Sequence, residues 1–361
     1  MKVLHVEAGK HLYGGALQVR YLLQGLQRKG VDNVLVAAAG GALGEALAQS
    51  RIPVYRLPMR GDLDVGLILR LKKIIRAESP DIVHLHSRRG ADVLGGLAAR
   101  WTGVKTVVSR RVDNPEPRWW ADIKYRLYDR IVTISEGIRQ VLLAEGVSPE
   151  RVVCVRSAVP IPANGSAACD REWFNRQFQM ENDNRVAAVV AQLIPRKGHR
   201  YLLEVLPELL DEFPGLRLLV LGKGPSEAEI RSQIKALGLQ EAVVMAGFRN
   251  DLERIFPCLD LLIHPALMEG LGVSLLQAAI AGVPIVAVNA GGMPEAVREG
   301  INGLLVPGGD SQALKVAVSR LLSDPGLAQR MGAAGRELVE REFSVEAMVE
   351  GNLAVYRSLT G

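Results

Sequence analysis

The sequence predicts an α/β protein made of two doubly wound, parallel-sheet domains in tandem. Three observations lead to this class. Short apolar, β-branched runs alternate with helical patterns along the chain, the alternation is interrupted once near the middle, and 361 residues suit two domains of ordinary size. Strands and helices that alternate in this way form parallel sheets covered by helices on both faces.

The first half contains five predicted strands separated by helices. The strand-like runs are 3–8, 34–39, 81–86, 104–109 and 130–135. Helical patterns cover 16–29, 64–79 and 91–102. Together these elements predict a first Rossmann-like domain over residues 1–165.

The second half repeats the pattern after an interruption. Residues 160–184 hold two prolines, a Gly-Ser pair and polar side chains, which favours a crossover between domains. The alternation then resumes at 186–191, 216–221, 242–247, 261–264, 285–288 and 303–306. These runs predict a second Rossmann-like domain over 166–344. The amphipathic pattern near the end predicts a final helix, 345–361, that packs back on the first domain.

Composition limits the class of protein. A content of 48% hydrophobic and 23% charged residues is typical of a soluble globular protein, and no apolar run is long enough to span a membrane. The first residues read as a buried strand rather than a signal peptide. Three scattered cysteines, Cys154, Cys169 and Cys258, form neither a metal pattern nor an even disulfide set. We therefore expect a reducing cytoplasm.

Charge is distributed unevenly between the halves. Residues 1–165 hold 25 Lys and Arg against 15 Asp and Glu, a net charge of +10, which leaves −5 for the remainder of the +5 total. A basic first half suits an anionic partner, although an ordinary solvated surface explains the count equally well. No aromatic-interleaved strand or recognition helix supports nucleic acid as that partner.

The segment 264–310 carries the strongest chemical signal. Glu269 precedes Gly270-Leu271-Gly272, and an apolar helical run from Val273 follows directly. A loop that opens a helix presents unpaired backbone N–H groups and the positive end of the helix dipole, which suits a phosphate. A carboxylate beside it can accept hydrogen bonds from sugar hydroxyls. The segment therefore predicts a pocket for a sugar joined to a diphosphate.

Other loops that follow strands add weaker signals. An adjacent pair of cations can clamp a diphosphate, glycines let backbone approach a ligand, and an aromatic can flank a base, although each feature alone also fits an ordinary turn. These residues are Arg196 and Lys197, Gly14 and Gly15, Gly222 and Gly224, and Phe248 and Arg249. The first loop is not a GxGxxG, and no acidic residue closes the second strand, so a redox dinucleotide site is not expected.

These motifs together resemble the retaining glycosyltransferases of family four, which have the GT-B fold. The second half carries RKGHRYLLE, LGKGP, AGFRND, HPALMEGLGVSLLQAAIAGVPIVA, GGMPEAV and NGLLV, and the first carries YGGALQV, DIVHLHS and TISEGIRQVLLAEGVSPERV. The resemblance implies two domains facing a cleft, a nucleotide-diphosphate-sugar donor on the second and an acceptor mostly on the first. It implies retention of configuration with no metal and no cofactor.

The resemblance also assigns roles to individual residues. Arg196 and Lys197 would bind the donor diphosphate, and Glu269 would contact the hydroxyls of the donor sugar. The other expected donor contacts are Gly14, Gly15, Gly222, Gly224, Phe248, Arg249, Gly270, Leu271, Gly272 and Val273. Gln277 stands where the family ordinarily has a second glutamate for the ribose, and an amide makes a weaker bond there than a carboxylate.

The acceptor side departs from the family. Many relatives have a histidine after the strand that corresponds to 104–109, whereas this chain has Arg110 and Arg111, which are candidates for acceptor contact together with Arg88 and Arg89. Of the two histidines in 81–86, we expect the first to be a core residue and the second, His86, to be a weak site candidate, and we do not expect a metal pair.

A mixture of cations and aromatics occurs at Arg118, Trp119 and Trp120 and the cations that follow them. This pattern predicts either peripheral contact with an anionic inner membrane or a tryptophan pair packed in a core. The leading hypothesis is a cytoplasmic hexosyltransferase that moves a sugar, most readily from a UDP-sugar, to a glycolipid or phosphorylated oligosaccharide in lipopolysaccharide core synthesis. The alternatives are a nucleotide-sugar epimerase of the same fold and a non-enzymatic sugar-nucleotide binding protein.

Overall fold

The computed structural model describes residues 1–12, 14–87, 90–162 and 167–361. They divide into two compact units. The first unit comprises Met1–Ala158 and Val345–Gly361, and the second comprises Val159–Ser344. The division thus falls earlier in the chain than the expected boundary after residue 165.

The first unit is built on a parallel sheet of seven strands in the order β3-β2-β1-β4-β5-β6-β7. Its strands are β1 (Lys2–Glu7), β2 (Asp32–Ala38), β3 (Val54–Leu57), β4 (Ile82–Leu85), β5 (Lys105–Arg110), β6 (Arg130–Thr133) and β7 (Val152–Cys154). Its helices are α1 (Gly14–Arg28), α2 (Ala42–Ala46), α3 (Gly66–Glu78), α4 (Ala91–Arg100), α5 (Arg118–Tyr125), α6 (Glu136–Ala144) and the C-terminal helix, α15 (Val345–Thr360).

The second unit is built on a parallel sheet of six strands in the order β10-β9-β8-β11-β12-β13. Its strands are β8 (Arg185–Val190), β9 (Leu216–Leu221), β10 (Val243–Gly247), β11 (Leu261–His264), β12 (Ile285–Val288) and β13 (Gly303–Val306). Its helices are α7 (Arg171–Phe178), α8 (His199–Glu212), α9 (Glu227–Ala236), α10 (Leu252–Ile255), α11 (Val273–Ile280), α12 (Met293–Ala296), α13 (Ser311–Ser323) and α14 (Pro325–Glu342).

Both sheets confirm the predicted class of two doubly wound, Rossmann-like domains. The central strands are buried on both faces, as in β4, β11 and β12, because helices cover each side. In each sheet the strand order reverses once, between β1 and β4 in the first unit and between β8 and β11 in the second. Ligands of open α/β sheets bind outside the carboxyl ends of the strands at such a reversal.

The segment expected to be an interdomain crossover contains structure of its own. Helix α7 lies within 160–184, and its Phe174 and Phe178 are buried in the core of the second unit. The polar composition hid this helix because only one of its faces is apolar. The expectation for cysteine was also wrong, because Cys169 and Cys258 form a disulfide across 89 residues of sequence.

Helix α15 packs in the first unit, against α1. Gly25 of α1 lacks the Cβ that would collide with Val349 of α15, so the two helices approach closely. No helix in the described ranges combines the length and the apolar character needed to cross a membrane.

Candidate active site

The Glu269 site lies at the strand-order reversal of the second unit. The loops that follow β8 and β11 pack backbone to backbone there, with the Leu267 amide donating to the Arg196 carbonyl at 2.9 Å. Gly198 has a positive φ of 71°, and any Cβ at that position would collide with the carbonyl oxygen of Pro265. The turn Pro195–Lys197 is therefore held against the loop that leads to Glu269.

Three groups donate to the carboxylate of Glu269. Lys197 Nζ and His264 Nε2 both contact Oε2, the latter at 3.2 Å, and the Gly270 amide donates to Oε1 at 3.1 Å. Burial raises the pKa of the Glu269 carboxyl, but the His264 hydrogen bond and the Lys197 charge outweigh it and hold the pKa well below its usual range. Glu269 is therefore an anion at neutral pH, suited to accepting bonds from hydroxyls.

The two adjacent cations of this site have different environments. Lys197 is 7% exposed and forms an ion pair with Glu269. Arg196 is exposed, and its Nη1 lies 3.8 Å from the sulfur of Met268. Lys197 is thus held in the site, while Arg196 lies at its rim.

The glycine-spaced loop leads into α11 as the spacing indicated. Gly272 caps the helix with a positive φ of 84°, while Leu271 is buried in the core and gives its side chain to packing. The first backbone amides of α11, from Val273 on, precede any intrahelical acceptor and suit an anion. Gln277 lies on the second turn of α11 and is partly exposed.

The glycines after β9 have a packing role that spacing alone did not reveal. Gly222 has a φ of 149°, and a Cβ there would collide with the Ala191 carbonyl oxygen. A Cβ on Gly224 would likewise collide with the carbonyl of Leu193. Both glycines therefore let the backbone of the loop after β9 pack closely on the backbone of the loop after β8.

An exposed aromatic follows β10. Phe248 is 49% exposed, and Lys223 Nζ lies 5.3 Å from its ring centroid. Arg249 donates to both carboxylate oxygens of Asp251, at 2.8 and 2.5 Å, and its guanidinium lies 5.4 Å from the ring centroid of Phe178 on α7. Arg249 is thus held in place by protein partners, and Phe248 is about half exposed to solvent.

The reversal point of the first unit gathers Gly14, Gly15, Glu7 and Arg111. Gly14 and Gly15 begin α1, and a Cβ on Gly15 would lie 3.4 Å from Cδ of Arg111. Glu7 ends β1, and burial raises its pKa although the Arg111 charge opposes this. Among the described residues, no acceptor pairs with Nε of Arg111. This buried N–H lies where the loop after β5 meets α1.

Arg110 is not available for acceptor contact, which corrects the prediction for this residue. It is 3% exposed and pairs with Glu116 at 3.1 Å. Lys124 bonds the same carboxylate at 3.1 Å and Asp92 at 2.7 Å. This buried network holds the loop 111–117 against α4 and α5, so Arg110 has a structural role. Arg88 and Arg89 lie outside the described residues.

The tryptophans of α5 are not both in a core. Trp119 is 67% exposed, and its neighbour on the helix face, Ile123, is 56% exposed. Trp120 is partly exposed and meets Trp119 edge to face at 5.8 Å. Lys124, one of the cations that follow these tryptophans in the sequence, is buried. The helix therefore presents an apolar, aromatic outer face.

The buried histidines of the first unit are joined to one another and to their neighbours by a chain of hydrogen bonds. Asn33 donates its amide to the Val31 carbonyl, which turns Oδ1 toward His5 Nε2 at 3.1 Å. His5 Nε2 then carries the proton, and its Nδ1 accepts from His86 Nε2 at 2.9 Å. Nδ1 of His86 is left to accept from Ser109 Oγ at 3.5 Å.

The same chain continues to α15. Ser109 Oγ lies 2.9 Å from His84 Nε2, and His84 Nδ1 lies 2.6 Å from the hydroxyl of Tyr356. We call Tyr356, His84, Ser109, His86, His5 and Asn33 the histidine chain. One nitrogen from each of its three imidazoles lies within 4.8 Å of the other two, but the ring nitrogens are engaged in hydrogen bonds. His86 is therefore a core residue here, as is His84, rather than a site candidate.

Sequence reasoning missed two histidines at the Glu269 site. His264 ends β11 and His199 begins α8, and both are buried. Burial is the main cause that lowers the pKa of His199 to about 4, and the Lys197 charge acts in the same direction. Their positions in the sequence could have indicated them, since His264 is the last residue of a buried strand and His199 is the first residue of the helix after the Arg196-Lys197 turn.

Two Rossmann-like, parallel-sheet domains in tandem are the architecture of GT-B glycosyltransferase structures. Comparison with protein families gives the more particular assignment. The model "Glycosyltransferase Family 4" matches residues 13–161, and the model "Glycosyl transferases group 1" matches residues 170–338. The chain therefore carries a family 4 glycosyltransferase domain followed by a group 1 glycosyltransferase domain.

Three known proteins illustrate the range of relatives. The chain is 29% identical over 341 residues to the 2-deoxystreptamine glucosyltransferase of Streptomyces kanamyceticus, covering 86% of this chain and 88% of that one. It is 26% identical to the lipopolysaccharide core biosynthesis glycosyltransferase LpsE of Rhizobium meliloti, covering 99% of both. Its structure resembles that of Anabaena Alr3699/HepE in complex with UDP-glucose, with a TM-score of 0.87, 21% identity, and 99% and 100% of the two chains covered.

Proposed function

We propose that the protein is a retaining, metal-independent glycosyltransferase that moves a sugar from a UDP-sugar to a glycolipid or surface-polysaccharide acceptor in lipopolysaccharide core synthesis. The observation that carries the proposal is the carboxylate of Glu269, ionised and held by Lys197 and His264, beside the opening turn of α11. A fixed anion next to a helix N-terminus can bind sugar hydroxyls and phosphate side by side.

Lys197 has two roles in this proposal. In the free protein its ammonium neutralises Glu269. When a donor enters, the diphosphate attracts the ammonium, and the freed carboxylate oxygen accepts a sugar hydroxyl. Lys197 and Arg196 then stabilise the charge that develops on the leaving diphosphate, and that diphosphate takes the proton of the acceptor hydroxyl on the same face.

Uracil is the base favoured by the proposal. Phe248 offers an exposed ring on which a base can stack, and the ring is supported from one side by Lys223. The fold relative HepE was obtained in complex with UDP-glucose. Gln277, on α11, is the proposed ribose contact and would make neutral rather than charge-assisted hydrogen bonds.

An anionic acceptor suits the first unit. Arg111 offers an Nε for which the described part of the chain supplies no acceptor, at the reversal point of the sheet. The match to LpsE along the full chain supports a lipopolysaccharide core sugar as the acceptor class. Phosphate groups on such a core would pair with the guanidinium of Arg111.

Peripheral contact with the cytoplasmic face of an anionic membrane completes the proposal. Two exposed apolar groups on the first unit favour it. The first group comprises Leu63 and Val65, just before α3, and Leu69 in its first turn, which are 94%, 66% and 70% exposed. Trp119 and Ile123 form the second group, on α5. Co-sedimentation with vesicles of mixed neutral and anionic lipid tests this, and Leu69→Glu should weaken it without changing donor hydrolysis.

The disulfide gives a test of compartment. Proteins of a reducing cytoplasm keep such cysteines as thiols. If the proposed location holds, cells quenched with an alkylating agent before lysis should yield Cys169 and Cys258 in the alkylated form. Recovery of the intact disulfide from quenched cells would contradict the cytoplasmic location.

One assay separates the proposed activity from its alternatives. A panel of nucleotide sugars is incubated with the purified chain, with and without extracted lipopolysaccharide core glycolipid. Acceptor-dependent release of UDP with an unchanged anomeric configuration supports retaining transfer, and unchanged rates in EDTA support metal independence. Inversion of a sugar carbon without acceptor would indicate an epimerase, and binding without turnover would indicate a sugar-nucleotide binding protein.

Matched variants test the site itself. Glu269→Ala and Lys197→Ala should each lower turnover by about 10²–10³-fold, because each removes a preorganised charge at the reacting centre. Lys315→Ala is the control, since Lys315 and Glu208 form an exposed lysine–glutamate pair on the same unit. Unchanged turnover in the first two variants would refute the site assignment.

A further inference from the structure

A buried histidine shares the carboxylate of Glu269 with Lys197. His264 is 1% exposed at the end of β11, and its Nε2 lies 3.2 Å from the same oxygen, Oε2, that Lys197 contacts. The other oxygen takes the Gly270 amide. Donation from Nε2 fixes the tautomer, because Nδ1 must then carry the lone pair.

The two donors on Oε2 differ in how easily they can leave. Lys197 ends a long, flexible side chain, and the proposed function gives it a second partner in the donor diphosphate. His264 is on a strand with its ring enclosed, and within the described ranges no other group pairs with its Nδ1. Its ring therefore has one hydrogen bond to keep, the bond to Glu269.

The neighbouring His199 does not compete with Lys197 or His264 for the Glu269 carboxylate. It begins α8 directly after the turn that carries Lys197, it is 5% exposed, and burial lowers its pKa to about 4. At neutral pH it is uncharged and adds no further cation to compete for the carboxylate. Lys197 is thus the exchangeable partner of Glu269, and His264 is the permanent one.

We propose that His264 is a positioning residue for the donor sugar: its Nε2–H holds the Glu269 carboxylate in place when the diphosphate draws Lys197 away. The inference rests on the proposed function. Its specific consequence is that His264 matters for the sugar part of the donor and not for the nucleotide part, which a residue with a merely structural role would not distinguish.

Calorimetric titration of the full chain with UDP and with UDP-glucose tests this consequence. His264→Phe keeps an aromatic ring but removes the N–H group that bonds Glu269. It should leave the affinity for UDP unchanged and weaken the affinity for UDP-glucose by about tenfold to a hundredfold, which is the effect of one hydrogen bond to a charged group. His264→Gln returns an amide donor near the position of Nε2 and should recover most of the loss. His264→Asn, whose amide is too short to reach, is the matched control and should behave like His264→Phe.

A double-variant comparison identifies the residue through which His264 acts. In a Glu269→Ala background, His264→Phe should cause no further loss of UDP-glucose affinity, because the carboxylate that it positions is gone. Additive losses, or an equal loss for UDP and UDP-glucose, would overturn the proposal.

A nitrogen NMR measurement is independent of any donor. The chain has six histidines, and ¹⁵N-histidine labelling with His264→Gln as the assignment variant identifies the His264 ring. We expect the Nε2–H tautomer, with resonances that shift in Glu269→Ala. The Nδ1–H tautomer would overturn the proposal even if UDP-glucose binds. If no nucleotide sugar binds, the proposed function fails, and the tautomer still decides whether His264 holds Glu269.

Discussion

Acidification should destabilise the first unit through its histidine chain. Burial lowers the pKa of His5 to about 4, against 6.5 for an ordinary histidine. Between these values the unfolded chain binds the proton and the folded chain does not, so the free energy of unfolding falls as the pH falls. Going from about pH 7 to about pH 5 should cost about 2 kcal/mol at His5 alone.

The other histidines of the chain act in the same direction. Burial lowers the pKa of His84 and of His86 well below 6.5, and mutual repulsion and the Arg111 charge lower both further. If each contributes as His5 does, the three together reach about 6 kcal/mol, a large share of the stability of a typical domain. Glu7 opposes them, because burial raises its pKa and the cost of burying its charge falls on acidification.

Urea unfolding followed by tryptophan fluorescence measures the effect. In a Trp173→Phe background the remaining three tryptophans all belong to the first unit, so the signal reports that unit. His5→Gln should be less stable than the parent at both pH values, yet should lose about 2 kcal/mol less on acidification. His11→Gln, which replaces an exposed histidine, is the control and should keep the parent's pH dependence. An unchanged pH dependence in His5→Gln would refute the reasoning.

Three further predictions concern the disulfide, the buried ion network and the ribose contact. Cys169→Ser should lower the free energy of unfolding of the second unit by up to about 4 kcal/mol, since the bridge spans 89 residues, and an equal urea midpoint with and without reductant would contradict this. Glu116→Gln should lower the free energy of unfolding in urea by about 3–5 kcal/mol, because it leaves Arg110 buried without its charge partner. Asp122→Asn, which breaks the exposed ion pair with Arg126, is the control and should lower it by no more than about 1 kcal/mol. Gln277→Glu should tighten UDP binding by about threefold to tenfold in calorimetry, through charge-assisted bonds to the ribose, and weaker binding would exclude that contact.

Hydrophobic patterning predicts the central strands of both sheets and misses the edges of the first. Strands buried on both faces, such as β11 and β12, are continuous apolar runs. All six strands of the second sheet were predicted, including the half-buried edge strand β10, whose residues are also apolar. β3 and β7 were missed. They are the two edge strands of the first sheet, and their residues are mostly half-buried. Arg56 interrupts the apolar pattern of β3, and β7 is only three residues long.

The sequence predicts which site residues follow strands, but it does not predict which of those residues meet. Glu269 and Lys197 follow strands far apart in sequence, and they meet because β8 and β11 are neighbours, which is a property of strand order that local sequence does not contain. The same limit applies to Arg110 and Arg111. Adjacent residues at a strand end point to opposite sides, and the packing of α5, rather than the sequence, decides that Arg110 faces inward.

The buried charges of the first unit strengthen the case for an anionic partner. Among its described Asp, Glu, Lys and Arg residues, the buried ones are Glu7, Asp92, Arg110, Asp113, Lys124 and Glu145. Acidic groups outnumber basic groups in this set, and the buried cations are satisfied by internal carboxylates. Burial therefore removes more acidic than basic groups from the surface. The net charge of the exposed residues is thus more positive than the composition of the unit alone indicates. An exterior of that kind attracts phosphorylated lipids and oligosaccharides, and because exposed charges are screened, the attraction should weaken as salt is raised.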